Sequence, residues 1–243
     1  MRNVLFASVC ALACAGTPAL ADGVAATAQG TFGNIAGFPT WSADGAISVP
    51  LGWSDLSVEG NLGDRGVDGA HIFDGGGSLV WSQPEFRVAG SVLYNRLSGL
   101  GASVDETQYG GGGQWFFGPA FTASVLGGGI SGSASGGYIG GNLKWYFDPD
   151  IALDGFVNYT SLSGAHETDF GAHAEWLPME DIPISVMANY THANLSGFGS
   201  SGNTDIWWVG LKLYLNDSPA TTMEDRQRTG TLDTIAPGIH FVF

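Results

Sequence analysis

The chain has 243 residues, of which 13% are charged, against roughly 25% in an ordinary soluble domain. Its 39 glycines come with neither a collagen period nor abundant proline, and its 12% of aromatics excludes an acidic disordered tail. With 8 Lys and Arg against 23 Asp and Glu, a phosphate backbone would be repelled, so no nucleic-acid partner is expected.

Residues 1–21 read as a cleaved export signal. Arg2 supplies the positive start, Val4 to Gly16 a short apolar run, and Ala19-Leu20-Ala21 a small-x-small cleavage site. Thr17-Pro18 interrupts the run before the roughly 20 apolar residues that a spanning helix needs. Cleavage near Ala21 removes Cys10 and Cys14, so the mature chain is expected to lack disulfides, thiol nucleophiles and thiolate metal sites. Losing Arg2 also takes the net charge from −15 to −16.

Beyond the signal the hydrophobic pattern has period two. Phe86, Val88, Gly90, Val92 and Tyr94 alternate with Arg87, Ala89, Ser91 and Leu93. Ile139 to Phe147 sets Leu143, Trp145 and Phe147 against Asn142, Lys144 and Tyr146. The segment Ile184 to Tyr190 opposes Ile, Val, Ala and Tyr to Ser185, Met187 and Asn189. Trp207 to Leu215 opposes Val209, Leu211 and Leu213 to Trp208, Lys212 and Tyr214. Such alternation predicts strands with one apolar face. The spans fall near 27–36, 44–51, 55–63, 72–81, 86–95, 107–117, 121–130, 138–147, 151–160, 168–177, 184–193 and 205–215. Each approaches the roughly 9–11 residues that cross a bilayer at a tilt. The sequence therefore predicts an all-β fold, a transmembrane antiparallel up-and-down β-barrel over 22–216 with about 12 strands. Eight and ten strands are the lower alternatives, and an even count puts both termini on the periplasmic side.

Turns and aromatics favour a membrane barrel over a soluble sandwich. Short turns are expected at 82–85, 118–119 and 148–150, and longer polar loops at 95–106, 130–137, 160–167 and 194–204. Trp81, Trp115, Phe117, Trp145, Phe147 and Trp176 precede the short turns, while Tyr94, Tyr159 and Tyr190 precede the long ones. Two girdles at two membrane surfaces are the expectation, with outer-membrane lipids as partners. Leu-Ser-Gly recurs at 97–99, 162–164 and 195–197, so the repeated unit is a hairpin.

Residues 217–243 read as a polar periplasmic tail, a linker or short helix, ending in Gly238-Ile-His-Phe241-Val-Phe243. A strand at 236–243 would make the count odd, or demote the span at 27–36 and put both termini outside. Closure at 205–215 is expected instead, with Phe241 and Phe243 as a terminal signal for the barrel-assembly machinery.

AISVPLGWSDLSVEG, GGGSLVWSQPEFRVAGSVLYN, GGNLKWYFDPDIALDGF and WWVGLKLYLND carry a likeness over Gly45 to Asn216. This stretch resembles a poorly characterised, porin-like family of Gram-negative outer-membrane β-barrels. The resemblance implies an outer-membrane location after signal cleavage. It assigns no functional residue.

Catalytic and metal chemistry has little footing. Five histidines, at 71, 166, 173, 192 and 240, have no metal-ligand spacing, and the glycine runs at 110–113 and 127–129 precede no Lys-Ser/Thr. The sequons at Asn158 and Asn189 read as strand-end polarity. No enzyme, metal or cofactor is expected. Alternation instead puts Arg87, Lys144, Lys212, Asp154, Glu175 and His173 inside the barrel, the three cations toward the periplasmic end. Either these charges pair and close the channel, as Lys144 with Asp154 or Glu175, or they set its ion selectivity. Passive diffusion of small polar solutes is the first functional expectation. A structural or surface-interaction barrel is the second, and an outer-membrane hydrolase, for which no motif is visible, the third.

Overall fold

The computed structural model describes residues 23–52, 55–99, 102–179, 182–197, 199–216 and 222–232. The export signal and the terminal Phe241 and Phe243 motif lie outside the described residues. Twelve strands follow in chain order: β1 (Ala25–Ile35), β2 (Phe38–Pro50), β3 (Leu56–Val67), β4 (Ala70–Gln83), β5 (Phe86–Gly99) and β6 (Ala102–Phe117), then β7 (Phe121–Gly132), β8 (Gly136–Asp148), β9 (Ile151–Leu162), β10 (Ala165–Trp176), β11 (Ile184–Gly197) and β12 (Ser200–Asn216). One short helix, α1 (Met223–Thr229), comes after them.

Each strand pairs antiparallel with its sequence neighbours, and β12 returns to β1, with Lys212 opposite Gln29. This is the expected barrel, with the expected twelve strands. Closure at β12 leaves no edge in the ladder for a thirteenth strand. Through the apolar belt each strand is laddered to a neighbour on both sides, the condition a spanning structure must satisfy where no water is at hand.

Alternation sorts the side chains. Leu62, Ile139, Val157 and Leu211 stand on the outer surface, each more than half exposed. A continuous apolar exterior of this kind suits lipid and not water. At the mouth nearer the chain termini, Trp81 packs edge-on against Phe86 and Phe121 stacks on Trp145. At the far mouth each girdle tyrosine bonds a side chain on the following strand. Tyr94 donates to Asp105 at 2.8 Å and Tyr190 to Asp205 at 2.7 Å, while Tyr159 meets His166 Nδ1 at 3.0 Å.

The long polar loops expected at 95–106, 130–137, 160–167 and 194–204 are corrected by the structure. Among the described residues most of each stretch is strand: β5 runs on to Gly99, β9 to Leu162 and β11 to Gly197, and β12 begins at Ser200. Hairpins at this mouth are tight. Ala36-Gly37 and Asp68-Gly69 turn the chain with positive φ at both residues, 53° and 91° in the first and 39° and 85° in the second. That is the backbone that suits the twist of paired strands. The ladders project beyond the apolar belt, where Ser and Asn are tolerated on both faces and the period-two signal fades.

The glycine runs face one another, Gly110 opposite Gly128 on β6 and β7. A Cβ on either would meet the Tyr138 hydroxyl within 2.7–2.8 Å. Their bareness admits the Tyr138 side chain across the inner wall.

Candidate channel lumen

The inner wall collects the residues opposite the apolar belt. Arg87, Lys144, Lys212, Asp154 and Glu175 all lie there, each less than 8% exposed. Lys144, Asp154 and His173 form one cross-strand row over β8, β9 and β10. Asp154 accepts from Asn142 Nδ2 at 2.7 Å, and the His173 ring lies 5.5 Å from that of Trp208. Lys212 stands over the Tyr214 ring, its Nζ 4.8 Å from the centroid. Arg87 is on another arc of the wall, on β5, with its guanidinium 6.0 Å from the Phe116 ring. The three cations therefore do not make an uninterrupted ring. Glu59, Asp154 and Glu175 stand among them.

The near mouth is spanned by the chain's own continuation. Thr222 caps α1 by accepting from Asp225 N at 3.1 Å, and Glu224 and Asp225 occupy the positive first turn. Seven residues are too few for an isolated helix to persist in water, so the barrel must hold it. Met223 is fully buried against Tyr146, Ala152, Leu177 and Tyr214. Its backbone N–H donates to Pro149 O, in the β8–β9 turn, at 2.7 Å. At the other end Leu232 N donates to both Glu59 oxygens, on β3, at 2.8 and 3.1 Å. β3 and β9 stand opposite each other in the twelve-strand ring. Residues 222–232, expected as part of a periplasmic tail, thus cross the mouth as a plug.

Polar contacts seat the plug around the wall. Gln227 accepts from Lys144 Nζ at 2.8 Å and from Tyr146 at 3.0 Å, and donates to Glu175 at 2.7 Å. Glu175 also accepts from Ser185 and, at 2.5 Å, from Tyr214. Arg228 pairs with Glu224, donates to Phe121 O at 2.8 Å, and lies over the rings of Phe116 and Tyr146. Thr231 meets Thr27 hydroxyl to hydroxyl at 3.0 Å.

Above the plug runs a cavity of about 310 Å³, within reach of the size that holds a small organic ligand. Ile35, Thr40 and Val67 line its far end, and Lys144, Lys212, Gln227 and Arg228 its floor. Arg65 bridges Asp44 and Asp74 at 3.7 and 3.3 Å in the far half. Sequence reasoning missed this triad, together with Glu59, Glu106, Glu167 and Asp169. Period two on β3 and β10 was the available signal for Glu59, Glu167 and Asp169. Nothing local marks Gln227, whose partners are distant in sequence. Among the described residues no His, Cys, Asp and Glu group is arranged to hold a metal.

No protein-family model matches this sequence, and no curated protein matches it. Solved structures do. The KdgM porin aligns with a TM-score of 0.57 at 9% identity, over 78% of this chain and 99% of its own. The KdgM porin in complex with disordered oligogalacturonate gives the same values. A structure reported for the in-meso crystallization of membrane proteins aligns at 0.54 and 14% identity, over 84% and 90% of the two chains. At such identities the likeness is one of fold, and that fold is a closed antiparallel β-barrel.

Proposed function

We propose that the chain is an outer-membrane channel of porin type, passing small polar solutes, with residues 222–232 closing its periplasmic mouth. The supporting observation is the polar cavity that runs from the far hairpins to the plug inside a lipid-facing barrel. Outer-membrane lipids cover the belt, and the terminal Phe241 and Phe243 serve assembly. No residue is assigned a catalytic role. A bonded plug also suits the second reading, a structural barrel without transport. Bonds to Lys144, Glu175 and Glu59 involve a charged partner and net about 1.5–3 kcal/mol each, so the closed state is favoured at rest and opening needs a solute or an applied field.

Planar-bilayer conductance decides between the two. Residues 22–243 contain no cysteine, and the hydroxyls of Thr27 and Thr231 are 3.0 Å apart, close enough for a disulfide after modest adjustment. Thr27→Cys with Thr231→Cys is expected to conduct when reduced and to fall silent when oxidised. Silence of the wild type and of the reduced variant at every voltage would favour the structural barrel.

A further inference from the structure

We infer that the inner face of β10 carries a binding station for a cationic group, an ammonium or guanidinium borne by a small solute. This names the solute class of the proposed channel and rests on that reading for the solute's route. Alternate residues of β10 enter the lumen in the order Glu167, Asp169, Gly171, His173 and Glu175, from the far mouth to the plug. Glu175 is occupied by Ser185, Tyr214 and Gln227. The two outer carboxylates have no such donors and bond side chain to side chain with each other. Glu167 and Asp169 are 5% and 4% exposed, yet Oε1 of the first and Oδ1 of the second accept no hydrogen bond.

Their surroundings offer no counter-charge on the adjoining strands. Thr160 and Leu195 stand in register with Glu167, and Asn158 and Ala193 with Asp169. Two carboxylates on successive rungs of one face repel each other and are costly to bury. A positive group that takes the place of their mutual contact and bonds both relieves both costs.

Aromatic faces complete the station. Asp169 lines the same cavity as Phe156 and Trp208. The tip of Phe156 covers Gly171, one rung inward, where a Cβ would come within 2.8 Å of it. Carboxylates beside π faces in a confined space favour ammonium and guanidinium groups. Metal ligation needs more donors than this pair supplies, and none gather among the described residues. Lys144, Lys212 and Arg228 at the cavity floor hold the cationic group in the far half and turn any carboxylate on the solute toward the plug.

The test is calorimetric titration of detergent-folded residues 22–243 with ethylguanidinium, and with propionate as an anion of similar size. Ethylguanidinium is expected to bind, and Glu167→Gln with Asp169→Asn to weaken it about tenfold or more. Asp74→Asn, in the same lumen but paired with Arg65, is expected to leave the affinity within about twofold. Trp208→Leu, with both carboxylates intact, is expected to weaken binding about threefold. Heat-modifiable migration checks that each variant is folded. Equal affinity in the wild type and the double variant, preference for propionate, or no binding heat overturns the station. Binding is read without current, so a silent bilayer defeats the channel reading alone.

Discussion

Lys144 Nζ donates to Oε1 of Gln227 at 2.8 Å, across 83 positions of sequence. The same amide donates through Nε2 to Oε2 of Glu175 at 2.7 Å. Gln227 is therefore a neutral adaptor between a buried cation on β8 and a buried anion on β10. An amide offers each partner what it needs from a separate atom, an acceptor oxygen to the ammonium and a donor nitrogen to the carboxylate. Both ends of the plug are tied to the wall by backbone N–H groups, and its middle by this relay.

Replacing Gln227 by Glu keeps the shape and inverts the relay. The new carboxylate still accepts from Lys144, but it has no donor for Glu175 and adds a second negative charge beside it. Gln227→Glu is expected to raise the fraction of open channels about tenfold or more, the yield of about 1.4 kcal/mol. Single-channel open probability measures it. A variant as closed as the wild type would remove the relay from the closing mechanism.

Met223 is fully buried in an apolar setting of Tyr146, Ala152, Leu177 and Tyr214. Met223→Asp inserts a charge with no counter-charge among these side chains, at a cost of several kcal/mol unless the helix leaves. Departure is the expected outcome. Limited proteolysis in detergent is expected to cut within 217–232 in the variant and to spare the wild type, while strands β1 to β12 stay heat-modifiable.

The strands were legible because a closed barrel in lipid demands one apolar face along most of each span. Leu143, Val157 and Leu211 record that demand in the sequence. Loop lengths were not legible for the same reason turned round. Above the belt, His192 and Asn194 face outward from β11 while Thr191 and Ala193 face inward, and neither face needs to be apolar. Hydrogen-bonded ladder continues where the periodic signal stops. The inward charges followed from alternation, whereas the plug did not. Thr222, Glu224 and Asp225 announce a short helix, but its seat depends on partners such as Thr27 and Thr231, 204 residues apart.

Face assignment is tested by a neighbouring pair. Leu143 is 54% exposed on the belt, and Asn142 points inward to bond Asp154. Leu143→Arg places a charge in lipid and is expected to cost about 2–4 kcal/mol near the midplane. Asn142→Arg places its charge in a polar lumen beside Asp154 and is expected to be milder. Urea unfolding in lipid vesicles gives both values, and equal destabilisation would show that the faces are exchanged.

The helix cap offers the mildest lever on the plug. Thr222 Oγ1 accepts from Asp225 N at 3.1 Å, and α1 is seven residues long. Thr222→Ala removes one of the few bonds internal to the helix, at a cost of about 0.5–2 kcal/mol. It touches neither the wall contacts of Gln227 nor the lumen charges. If closure depends on a folded α1, that loss moves the open-to-closed ratio about two- to thirtyfold. Thr222→Asp preserves an acceptor and adds a negative charge at the helix N-terminus, so it is expected to restore closure. Open probability of the three proteins in one bilayer preparation is the measurement. Equal opening by the alanine and aspartate variants would show that the plug seals as an extended strap, held by its wall contacts without help from the helix.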